Sequence, residues 1–284
     1  MDGARLTAAE GIAAPASPAP PKIHLRDASK RFAGLRGGTP TLALDRVSLE
    51  VAEGELVCLL GPSGCGKSTV LNLVAGFETP SSGSVTVDGR PVGAPGPERA
   101  VVFQQPQLFP WLSVLDNITF GPRMAGVPER VYRPEAERYV RLIGLTGFER
   151  HAPYHLSGGM RQRAALARAW IGNPRVLLMD EPFAALDAQT RLTMQELLLG
   201  LRRQTGTTIL FVTHDVDEAL FLADRILVMG SRPGRVTAEI RVPSSDARDV
   251  DGFLDDPVLM ALRRDVVRLV REEARKAHAH QPNS

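Results

Sequence analysis

The sequence predicts an α/β fold, a parallel-sheet core joined by an antiparallel β layer and a helical subdomain, and three features of the 284-residue chain carry that prediction. Short apolar runs at residues 55–60, 176–179 and 208–213 alternate with helical stretches. Strands alternating with helices build a parallel sheet covered on both faces, which is why such strands read as unbroken apolar runs. Between residues 23 and 51 the apolar positions alternate instead, through Ile23, Leu25, Leu42, Leu44, Val47 and Leu49 around a loop at 34–40, as a small antiparallel layer requires. From Gln104 to Ser157 the texture changes to Pro- and Gly-punctuated sequence with helical segments near 115–120 and 134–143, placing a helical subdomain at about 106–160.

Composition narrows the class. Hydrophobic residues at 43% and charged residues at 23% suit a soluble folded chain. Lys and Arg number 34 against 32 Asp and Glu, a balance too even for a nucleic-acid binder. No run approaches the roughly 18 apolar residues of a spanning helix, so any membrane role is expected through a partner. Cys58 and Cys65 match neither a disulfide framework nor a metal site, which points to a reducing cytoplasm.

In chain order, residues 1–21 are rich in Ala and Pro and lack the basic start and apolar stretch of a signal peptide, so a disordered tail is expected. The main domain is expected at 22–242. Residues 67–75 read as a buried helix stopped by Gly76; residues 158–171 read as an Ala-rich helix stopped at Gly172-Asn173-Pro174. A further helix is expected at 190–204. Within a C-terminal extension at 243–284, residues 257–277 carry charged and apolar residues at the spacing of an amphipathic helix.

The chemistry concentrates in Gly61-Pro62-Ser63-Gly64-Cys65-Gly66-Lys67-Ser68, with Thr69 following, between an expected strand and helix. That is the phosphate-loop pattern in its required context. Glycines let backbone N–H groups converge on phosphate oxygens, and the helix N-terminus adds partial positive charge. Lys67 would neutralise β- and γ-phosphates and the Ser68 hydroxyl would ligate Mg²⁺. Cys65 lies where a helix N-terminus lowers a thiol's pKa, and its alkylation is expected to block ATP binding by sheer bulk. Asp180 and Glu181 stand at the end of a buried strand, where ligands collect in open parallel sheets. Asp180 suits a Mg²⁺ partner and Glu181 a general base toward water. Alone, two acids at a strand end would mean only a solvated loop.

Leu156-Ser157-Gly158-Gly159-Met160 resembles the signature of ABC ATPases, and with it Phe103-Gln104, Ala185-Leu186-Asp187 and His214 fall in that family's order over about residues 23–242. The resemblance implies a RecA-like core, ATP and Mg²⁺ as ligands, and a second copy of the cassette as partner. Ser157, Gly158 and Gly159 would then close on the γ-phosphate held by the other subunit, a helix start being an anion site. It further implies that His214 holds Glu181 and the water in place, that Gln104 senses Mg²⁺, and that Asp187 belongs to the cross-dimer loop. Phe32 falls where the family usually stacks a Tyr on adenine; a phenyl ring still stacks. Ala184 replaces a Ser or Gly common in that loop.

Within the family, residues 107–111, 116–118, 215–218 and 232–235 resemble the nitrate, sulfonate and taurine importer group, most strongly its taurine-import members. The implied setting is the cytoplasmic face of the inner membrane, with permease subunits as partners and a solute-binding protein acting indirectly. The alternatives are import of nitrate or another small anion, and a soluble ABC ATPase outside transport. Phe109-Pro110-Trp111-Leu112 would serve either as a groove for a permease helix or as subdomain core.

Overall fold

A computed structural model of the chain describes residues 20–34, 39–230, 232–243 and 256–279. The expected N-terminal tail lies outside these residues, apart from its last two.

Six strands form the central sheet: β3 (Leu56–Leu60), β6 (Arg99–Val102), β7 (Val176–Asp180), β8 (Thr208–Thr213), β9 (Arg225–Gly230) and β10 (Arg235–Arg241), in the order β10-β9-β3-β8-β7-β6. All neighbours are parallel except β10, which runs antiparallel to β9 on one edge. Because side chains alternate across a strand, each apolar run feeds two cores. Leu56, Cys58 and Leu60 enter one with Leu177, Met179, Ile209 and Phe211, whereas Val57 and Leu59 enter the other with Val176, Leu178, Leu210 and Val212.

The second core is closed by α1 (Lys67–Ala75) and by a four-stranded antiparallel sheet ordered β2-β1-β4-β5, comprising β1 (Ile23–Phe32), β2 (Thr41–Val51), β4 (Ser82–Val87) and β5 (Arg90–Pro91). The first core is closed by α2 (Val114–Met124), α3 (Glu129–Leu142), α4 (Gly158–Trp170), α5 (Ala188–Thr205), α6 (Val216–Leu222) and α7 (Pro257–Ala279). Ser113 caps α2 by accepting from the Asp116 N–H at 3.1 Å. Helix α7 starts on Asp256, whose carboxylate accepts from the Val258 N–H at 2.8 Å, and it buries Leu259 and Val266 against the rest of the fold. Among the described residues no helix is long and apolar enough to cross a membrane.

The register decides where chemistry collects. Leu60 pairs with Thr213 and with Val228, Val212 with Asp180, and Val102 with Met179, so five parallel strands end along one edge. At or just beyond their ends stand the loop after Leu60, Asp180-Glu181, His214, Phe103-Gln104 and Arg232.

Candidate functional site

A cavity of about 490 Å³ opens on that edge, lined by Ser63, Gly64, Gly66, Lys67, Ser68 and Thr69 of the glycine loop together with Thr41, Leu42, Ala43, Glu181 and Arg232. Gly61, Pro62 and Cys65 complete the loop, with Gly61 and Cys65 buried behind the lining residues. Gly66 caps α1 with φ 97°, a left-handed conformation that strains any residue bearing a Cβ. Space forbids one as well, since a Cβ at Gly66 would stand 2.6 Å from Leu44 Cδ2.

Lys67 is 5% exposed and donates from Nζ to the Gly61 carbonyl at 2.8 Å and the Pro62 carbonyl at 3.0 Å, so the ammonium is held inside the curl of the loop. The Ser68 hydroxyl donates to Asp180 Oδ1 at 3.1 Å, joining the start of α1 to the end of β7. Burial pushes the Asp180 carboxyl above its ordinary range; the Ser68 hydrogen bond and Lys67 pull it back, and the Glu181 charge adds to the rise. Ser68 and Asp180 form a hard oxygen pair of the kind Mg²⁺ takes alongside substrate phosphates.

Strand β7 stops at Asp180 because Glu181 turns left-handed at φ 45°, a conformation costing on the order of 1–3 kcal/mol for a residue other than glycine. Its N–H donates to the Val212 carbonyl at 2.9 Å, fixing the turn. Glu181 Oε2 lies 3.0 Å from His214 Nδ1. An ionised carboxylate only accepts, so in this contact Nδ1–H is the donor to Glu181.

Other expected site residues are not among those lining the cavity. Phe32 ends β1 opposite Thr41, one of the cavity-lining residues; it is 38% exposed, and Lys30 Nζ lies 5.1 Å over its ring. Gln104 is exposed just beyond β6. Ser157 caps α4, accepting from the Met160 N–H at 3.2 Å, and Gly158 and Gly159 form its first turn at the surface. Asp187 caps α5 by accepting from the Thr190 N–H at 2.9 Å, and such bonds hold its carboxyl below the usual range.

The comparisons with known proteins agree with this arrangement. The ABC transporter family matches residues 44–184, which hold the glycine loop, the Ser157 turn and the Asp180-Glu181 pair. A Brucella abortus protein described as ATP-binding is 50% identical over 222 residues, 78% of this chain and 83% of its own length. The chain belongs to the ABC transporter family.

A taurine import ATP-binding protein of Yersinia pestis is 48% identical to this ABC ATPase over 229 residues, covering 79% of this chain and 90% of the relative. Among solved structures, a dimeric ATP-binding cassette in a post-hydrolysis state with ADP and Pi matches at TM-score 0.68 and 31% identity, over 78% of this chain and 99% of that one.

The structure overturns one expectation about the ABC loop. Cys65 is fully buried, and burial pushes its thiol up despite the Lys67 charge beside it, so the loop cysteine is shielded and protonated rather than reactive. The sequence also gave no notice of two side chains that tie α4 to the Gln104 segment. Gln162 Nε2 donates to the Phe103 carbonyl at 3.4 Å, and Arg168 Nη1 donates to the Gln107 carbonyl at 2.8 Å. Arg168 also lies 5.5 Å from the Phe109 ring, which packs at 4.6 Å on Phe120 while Trp111 stays 76% exposed. The Phe109–Leu112 turn thus divides, Phe109 leaning on α2 and Trp111 facing outward. Only tertiary structure brings these groups together, so no local pattern marks them.

Proposed function

We propose that this ABC ATPase drives an importer of taurine or related alkanesulfonates from the cytoplasmic face of the inner membrane, paired with a second copy of itself. The 3.0 Å contact between Glu181 and His214 beside the Ser68–Asp180 pair carries the hydrolytic part of this reading, because it pairs an imidazole with a carboxylate that lines the same cavity as the glycine loop. The loop from Gly61 to Ser68 binds the triphosphate through its N–H groups and Lys67, and the Phe32 ring stacks on the adenine. Glu181 accepts the proton of the attacking water, and His214 holds Glu181 in place and faces the γ-phosphate. Bound Mg²⁺ would neutralise charge developing on the phosphates. Ser68, Asp180 and Gln104 are the residues that would hold it.

Ser157, Gly158 and Gly159 are not among the residues lining the chain's own cavity, which fits a site completed across a dimer, and the dimeric ADP-bound relative supports that assembly. Asp187, at the cap of α5, belongs in this reading to the loop that meets the second copy. Trp111, exposed and backed by Phe109 and Phe120, is the anchor for a permease helix, since exposed aromatics in a supported patch dominate contact energies.

The taurine assignment rests on the import proteins named for that solute at 48–49% identity. Reconstitution with its permease in vesicles checks it. ATP turnover should rise with a solute-binding protein loaded with taurine or a short alkanesulfonate. Stimulation by nitrate alone would give the second reading, and the absence of any permease that co-purifies would leave a soluble ATPase.

A further inference from the structure

Four of the five parallel strands hand a proposed site residue to the carboxyl edge; the fifth, β9, hands over Arg232. The turn that carries it is seated directly on the glycine loop. The Gly234 N–H donates to the Ala43 carbonyl at 2.9 Å and the Asp45 N–H donates to the Gly234 carbonyl at 3.1 Å, while a Cβ on Gly234 would stand only 2.1 Å from the Cys65 carbonyl oxygen. Arg235, two residues after Pro233, is anchored on the Asp45 carboxylate.

Arg232 has a different environment. Its guanidinium lines the cavity, with Nη2 3.1 Å from the point where a Cβ on Gly64 would lie, against the open face of the loop. It makes no hydrogen bond or ion pair with a described residue. A planar five-donor cation left unpaired on the wall of a phosphate cavity, and held there by a turn packed to backbone contact, is built to take an anion. Lys67, by contrast, is partly spent on two loop carbonyls.

We infer that Arg232 is a nucleotide-binding residue that donates to the phosphate chain from the side opposite Lys67. This rests on the reading of the loop at 61–68 as the phosphate site. It adds to that reading a second cation, supplied by the turn after β9. The contact is charge-assisted but exposed to solvent, which keeps the effect toward the lower end of the range for such bonds.

Titration of the purified full chain with MgATP, MgADP and adenosine tests it in the wild type, Arg232→Ala, Arg232→Lys and Lys67→Ala. Arg232→Ala should bind MgATP and MgADP about tenfold more weakly. Adenosine affinity should not change, because the contact is to phosphate. The lysine variant should recover part of the loss, and thermal midpoints should match, since Arg232 supports nothing else. Wild-type affinity of Arg232→Ala for both phosphorylated ligands, or an equal loss for adenosine, overturns the inference. Lys67→Ala separates the two levels. If it loses MgATP while Arg232→Ala does not, only the role of Arg232 falls; if Lys67→Ala binds normally, the phosphate loop itself has been misread.

Discussion

Gly234→Ala is the sharpest perturbation of the contact between the β9–β10 turn and the glycine loop. The added methyl would meet the Cys65 carbonyl oxygen at 2.1 Å, Leu44 Cδ2 at 3.0 Å and the Ala43 carbonyl oxygen at 3.1 Å. Contacts under 3.0 Å are essentially never tolerated, so the turn or the loop must move by close to 1 Å. Two of the three obstacles are backbone, and no side-chain rotation relieves them. Overpacking of this kind costs about 1–3 kcal/mol, or roughly 2–12 °C of melting temperature for a domain of this size. Since the displaced group is the carbonyl of Cys65 in the middle of the loop, MgATP affinity should fall as well. Gly200→Ala is the control: it lies inside α5 with nothing within 4 Å, so it should be neutral or stabilising by about 0.5–1 kcal/mol. Calorimetry and nucleotide titration of the pair decide the matter. If Gly234→Ala melts and binds like the parent, the turn is not seated on the loop and the reasoning from that contact is wrong.

Two further predictions follow from buried groups. Glu218 is buried on α6, accepting from Thr213 Oγ1 and, at 3.2 Å, from Gln195 Nε2, and burial raises its carboxyl above the ordinary 4.5 despite those bonds. The folded state therefore holds the proton more tightly than the unfolded one, and this group's contribution falls as pH rises above 4.5 toward the raised value. Glu218→Gln should remove that decline, gaining on the parent with rising pH in urea melts; parallel profiles would contradict it. Cys58 and Cys65 are both buried with raised thiols, so a thiol reagent should modify neither quickly in the native chain and both after denaturation. Rapid native labelling of Cys65 would mean that the loop opens in solution.

Much of the architecture was legible because it is written in contiguous residues. A strand buried on both faces shows as an unbroken run such as Leu56–Leu60, and a phosphate loop must spell its glycines and lysine in a row because backbone N–H groups converge there. Strand β10 was not legible. Its inward face is only the three half-buried residues Val236, Ala238 and Ile240 on a sheet edge, alternating with exposed polar ones, a signal too short to stand out. Arg168 and Arg232 stayed hidden for another reason: Arg168 bonds the Gln107 carbonyl and Arg232 lies against Gly64, each far away in sequence, and nothing beside either residue announces the neighbour. Phe109 and Trp111 could not be divided in advance, since burial of the first depends on where α2 and Arg168 lie.

The central claim is that Glu181 is the base of a site completed by Ser157 of a second copy. Glu181→Gln keeps the side chain's shape and can still meet His214, yet it cannot take a proton, and a general base contributes about 100- to 10,000-fold. Light scattering of Glu181→Gln with MgATP, at high protein and low salt, tests base and assembly together. The account predicts that turnover collapses while an ATP-bound dimer accumulates, and that adding Ser157→Arg, which sets bulk and charge at the exposed start of α4, returns the dimer to monomers that still bind nucleotide. Hydrolysis by Glu181→Gln at the parental rate, or a dimer indifferent to Ser157→Arg, would contradict it.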